Sequence, residues 1–154
     1  MDTQILQNNI ERMEKLAVRL NESVKRIDAI MPLDPEIFDP DQVDSDELLF
    51  LDAFRIRFSD LQDVIGHTIF YMVALYDLDE SPAQRLSTRE RIHLMERKSL
   101  IDASEWNELR EIRNGFAHEY PDASSEKAEA LNAAWRYSSK LIVLSKKLKA
   151  YLCG

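Results

Sequence analysis

Cysteine, glycine and long apolar runs are all scarce in this chain of 154 residues. Cys153 is the one cysteine, so no internal disulfide forms and no thiolate zinc site is available. That usage fits a reducing compartment, and the expected location is the cytoplasm. Three glycines are too few for the phosphate-cradling loops of nucleotide enzymes, and no GxSxG, Walker or GxGxxG pattern occurs. No apolar run approaches the roughly 18 residues of a membrane span, and no membrane association is expected. The opening MDTQILQNNIERMEK is polar and of mixed charge, unlike a signal peptide. The three histidines, His67, His93 and His118, lie far apart and fall in no metal-ligand spacing, so neither a metal nor a cofactor is expected.

What is present is charge and helical patterning. Acidic residues outnumber basic ones 28 to 20, for a net charge of -8. Such a field opposes nucleic acid at long range, so any RNA-directed role requires a local basic site. The charge is uneven. Every charged residue from Pro32 to Asp52 is acidic, whereas bases and acids about balance from Arg85 to Arg113.

Apolar residues recur at spacings of three and four through Leu6, Ile10, Met13, Ala17, Leu20, Val24, Ile27 and Met31, which predicts a long amphipathic helix. Pro32, Pro35 and Pro40 break it. Asp44 with Glu47 resembles a capping box opening a second helix, whose stripe runs through Leu51, Phe54, Phe58, Leu61, Ile65, Met72 and Leu75 to about Tyr76. Ser81-Pro82 ends that element. Ser87 with Glu90 starts a shorter helix through about Lys98. Asp102 with Glu105 starts another that carries Trp106, Leu109, Ile112 and Phe116 and is stopped by Pro121. A last helix runs from about Ser124 to Tyr151. The expected fold is all-α: a single domain, residues 1–154, forming an antiparallel bundle of four main helices and one short one.

One stretch carries chemistry: Arg113-Asn114-Gly115-Phe116-Ala117-His118-Glu119-Tyr120-Pro121. Arginine stays charged and grips two phosphate oxygens at once, and histidine titrates near neutrality as acid or base. Five residues of ideal helix turn about 140°, so Arg113 and His118 share a site only if the helix loosens near Gly115 or a second chain supplies the facing wall. The bland alternative is a helix-terminal pair bonded to Glu111, Glu119 and nearby carbonyls. His67 reads as a satisfied or boundary histidine, and His93 as a surface one.

This motif resembles that of the HEPN superfamily, and within it the HepT-like proteins paired with minimal nucleotidyltransferases. The R-x4-H-x-Y mark falls on Arg113, His118 and Tyr120, with Asn114 after the arginine and Trp106 preceding in a W-x6-R spacing. The resemblance is specific from about Trp106 to Pro121 and architectural elsewhere. It implies metal-independent RNA cleavage by Arg113, His118 and Asn114 in a homodimer whose motifs face each other. It also implies a nucleotidyltransferase antitoxin that attaches AMP to Tyr120. Trp106, Phe116 or the first-helix seam is expected to supply apolar contact to the dimer. A non-catalytic HEPN module, binding a nucleotide or presenting a surface to its nucleotidyltransferase, is the alternative.

Overall fold

A computed structural model of the chain describes residues 2–78, 80–116 and 124–154, without the side chain of Ser81. The sequence-derived sites His118 and Tyr120, and the stop at Pro121, lie outside the described residues. Helix dominates what is described: α1 (Thr3–Ile27), α2 (Ser45–Asp63), α3 (Phe70–Asp77), α4 (Glu80–Arg85), α5 (Thr88–Arg97), α6 (Ala103–Phe116) and α7 (Ser124–Cys153). The fold is all-α, with no strand among the described residues.

The three-four periodicity of α1 has a direct consequence. Ile10, Met13, Ala17, Leu20 and Ile27 are buried along one stripe, where α1 packs on α2 and α7. Asp2 caps the helix start by accepting from the Gln4 and Ile5 amides, and a 3₁₀ turn, Asp28–Ile30, ends it. The seam is therefore internal and unavailable to a partner. Trp106 and Phe116, 2% and 9% exposed, are likewise core residues. The apolar dimer contact expected of these three features is corrected: burial within one chain has already consumed them.

The proline-rich connection after α1 lacks pattern but is anchored. Asn132 of α7 accepts from the Leu33 amide at 2.7 Å and donates to the Leu33 carbonyl at 2.8 Å. Phe38 inserts into the core at 8% exposure. Asp44 then caps α2 by accepting from the Asp46 and Glu47 amides.

α2 and α3 form one continuous rod, interrupted by a π-helical turn at Val64–Ile69 in which the Phe70 amide donates to the Ile65 carbonyl, five residues back. Such turns are rare and recur at functional sites. This turn carries Phe70 into the core at 1% exposure.

Two short helices, rather than one, link the rod to α6. Ser81-Pro82 falls inside the first turn of α4, a position where proline is tolerated because its missing N–H has no helical partner anyway. α5 has a complete capping box: Ser87 and Glu90 each accept from the other's amide. α7, thirty residues long, backs the bundle against α1, α2 and α6. Its lysines are cross-helix ties as well as end charges: Lys140 pairs with Glu105, Lys147 donates to the Ser99 carbonyl, and Lys149 pairs with Glu14.

Candidate phosphate-handling site

The motif arginine sits where α6 crosses the π turn. α6 presents Trp106, Leu109 and Phe116 to the core and leaves Arg110, Arg113 and Asn114 along a second side. Trp106 packs on Phe70 with ring centroids 4.6 Å apart. Close approach at this crossing depends on Gly66. A Cβ there would lie 3.0 Å from the Trp106 ring. Phe116 meets Phe58 edge-on at 6.0 Å, and Arg55 donates through Nη1 to the Phe116 carbonyl at 3.3 Å. The end of α6 is thereby fixed to α2.

Arg113 is half-buried and bound to Asp63, the last residue of α2. Its Nε donates to both carboxylate oxygens, at 3.0 and 3.2 Å, and Nη2 donates to Oδ2 at 3.0 Å. This bidentate fork fixes the guanidinium plane. The Asp63 hydrogen bonds raise the arginine's pKa, against a smaller opposing effect of burial, so the charge is permanent. Among the described residues Nη1 makes no hydrogen bond. The anchor is a carboxylate fifty positions away, and among the described residues the Arg113 side chain makes no hydrogen bond to Glu111 or to a nearby carbonyl.

A cavity of about 330 Å³ opens beside this pair. Arg91, Arg110 and Arg113 line it with His67 and Asn114, and Asp63 is its one acidic wall residue among those described. His67 is exposed on the π turn. Arg91 reaches in from α5, its Cζ 5.0 Å from the Tyr71 ring centroid. Among the described residues, three arginines against one carboxylate make a local basic site in an acidic chain.

A larger cavity, about 630 Å³, lies between α6 and α7. Polar and charged groups in it are already engaged: Lys140 with Glu105, Tyr137 with Glu108, and Lys147 with a backbone carbonyl. Neither Arg113 nor Asn114 lines it, so size alone does not make it the site.

The structure thus brings Arg113 and Asn114 together at one cavity edge. Asp63, His67, Arg91 and Arg110 join them there, and the motif named none of these four. Arg110 alone had a local signal, three positions before Arg113 and hence on the same side of a helix.

No family model, curated protein or solved structure matches this chain. No helix among the described residues is long and apolar enough to cross a membrane.

Proposed function

We propose that this chain is a metal-independent endoribonuclease of the HEPN type, the toxin half of a toxin–antitoxin pair acting in the cytoplasm. The observation that carries this reading is Arg113, first residue of the R-N-x3-H-x-Y run, held by Asp63 at the rim of a basic cavity. In the proposed reaction His118 removes the proton of an RNA 2′-hydroxyl. The freed oxygen attacks the adjacent phosphorus, and the 5′-oxygen leaves with a proton from a second histidine. Arg113 offsets the charge that builds on the phosphorane oxygens, and Asn114 orients the phosphate through its amide. Two copies of the chain supply the base and the acid, one His118 each.

Regulation follows from Tyr120. A partner nucleotidyltransferase transfers AMP from ATP to the tyrosine oxygen and releases pyrophosphate. Each AMP brings a negative phosphodiester and a bulky base near Arg113, opposing RNA through both charge and volume.

The deciding experiment is RNA cleavage by purified protein in EDTA, with His118→Ala and Arg113→Ala beside wild type. Activity is expected to persist in chelator and to vanish in both variants while circular dichroism stays helical. Metal-dependent cleavage, or full cleavage by His118→Ala, overturns the mechanism. Intact-mass analysis of the chain co-expressed with its partner is expected to show AMP on Tyr120 and none in Tyr120→Phe.

The net charge of -8 favours one second reading, a non-catalytic module that docks a nucleotidyltransferase. A tight complex with the partner, together with no RNA cleavage at any enzyme concentration, would select it.

A further inference from the structure

The cavity holds more positive charge than one scissile phosphate uses. Arg113 is committed on one edge to Asp63, and that pair consumes the only carboxylate among the described residues of the cavity wall. Arg91 and Arg110 form no ion pair among the described residues, in a chain where acids outnumber bases by eight. Arg110 stands one turn before Arg113 and is exposed.

Arg91 is the more unusual of the two. Its Nε is buried with no hydrogen-bond partner among the described residues, although buried polar atoms are nearly always paired. The face of Tyr71 supports its guanidinium without neutralising it. Tyr71 therefore holds a charged fork at the cavity wall, ready for a ligand with acceptor oxygens. The cavity floor, Trp106 and Phe70, is almost wholly buried and offers no open face for a base to stack on. Anionic oxygens, and not a nucleobase, match these walls.

We infer that Arg91 and Arg110 form a phosphate-binding subsite beside Arg113, which takes a backbone phosphodiester of single-stranded RNA next to the one being cut. His67, an exposed lining residue of the same cavity, is within the subsite's walls as a further hydrogen-bond donor. This rests on the ribonuclease reading for the identity of the strand but not for the chemistry of the pocket. The volume, about 330 Å³, is at the low end for ligand sites and suits one nucleotide unit rather than a folded RNA.

The test measures binding apart from cleavage. A fluorescently labelled hexanucleotide, 2′-O-methylated throughout and without terminal phosphates, has no attacking hydroxyl. Its anisotropy is titrated with the full-length chain across a salt series, for wild type, Arg110→Ala and Arg91→Lys. Lysine keeps the charge at 91 while losing the fork, which guards against a variant that fails to fold; a melting curve checks both. Each variant is expected to bind about tenfold more weakly or worse, and Arg110→Ala is expected to lose about 0.7 from the logarithmic salt slope, the value of one single-strand phosphate contact. Wild-type affinity and slope in both variants overturn the subsite, even if RNA is cleaved. Binding through both arginines with no RNA cleavage retires the ribonuclease reading and keeps the subsite. AMP supplies the other source of phosphate: if AMP binds through Arg91 and Arg110 while the hexanucleotide does not, the ligand is a free nucleotide and the strand assignment is overturned.

Discussion

Asp63 and Arg113 face each other across the crossing of α2 and α6, joined through both carboxylate oxygens and two guanidinium nitrogens. Both side chains are about one-third exposed, so the pair adds little stability, about 1 kcal/mol or less. Its larger effect is orientation: one edge of the guanidinium is occupied and the other is directed by it. If the chain is the proposed ribonuclease, Asp63→Asn is expected to leave melting almost unchanged but to reduce RNA cleavage by tenfold or more, because a misplaced phosphate ligand is costly to rate. Nitrogen-15 spectra should show the Arg113 Nε–H losing its protection in the same variant. Unchanged cleavage in Asp63→Asn would remove Asp63 as a positioning residue.

The Gly66 contact allows a cleaner test of packing. An alanine in an ordinary helix gains about 1 kcal/mol over glycine. Here the added methyl would press on Trp106 at 3.0 Å, so Gly66→Ala is expected to gain nothing or to destabilise. Gly66→Val should cost roughly 2 kcal/mol through overpacking. Trp106→Phe is itself destabilising, but combined with Gly66→Val the loss should be less than the sum of the two. Additive losses in urea melts would show that the ring and the glycine do not meet.

Asn132 supplies both hydrogen bonds that hold Leu33. Asn132→Leu preserves volume but leaves an amide and a carbonyl unpaired, at an expected cost of about 2 to 3 kcal/mol. Hydrogen exchange should report the loss first at the Leu33 amide. A variant as stable as wild type would show that the connection is not tied down there.

The end of α3 provides a pH signature. Burial opposes ionisation of Asp77, yet hydrogen bonds from Lys98 and Tyr151 lower its pKa overall. The hydrogen bond to Asp77 raises that of Lys98, against desolvation. Asp77 therefore contributes stability that is complete above its unfolded pKa, near 3.8, and is lost as pH falls through the lower folded value. The Lys98 contribution is complete below about 10.5 and disappears as pH rises through its higher folded pKa. Asp77→Asn should cost about 1 kcal/mol at pH 7 and shrink the difference from wild type below pH 4. A difference that stays constant down to pH 2 would contradict the pairing.

The helices were legible because burial and periodicity are the same fact seen twice. The stripe from Ile10 to Ile27 is spaced for one face, and that face is buried. The same reasoning missed α4, since Ser81-Pro82 reads as a stop while proline also suits a first turn. Phe38 was invisible because one aromatic in a patternless connection has no period. The π turn leaves no mark either: a shift of one hydrogen-bond register changes no residue type. A third of the candidate site, Arg113 and Asn114, could be read from a contiguous motif. Asp63, His67 and Arg91 could not, because the contact between residues 63 and 113 exists only after α2 and α6 cross.

The π turn also sets a genetic sensitivity. Each residue of an α-helix advances the chain by about 100°, so the extra residue in Val64–Ile69 sets the angular phase of everything after it. Loss of one codon in that span would keep the reading frame and allow an unbroken α-helix, with better backbone geometry. It would also swing Phe70 and Val73 out of the core and carry Tyr71 away from Arg91. A substitution there acts through its own side chain, but no codon can be deleted without rotating one wall of the cavity away from the other.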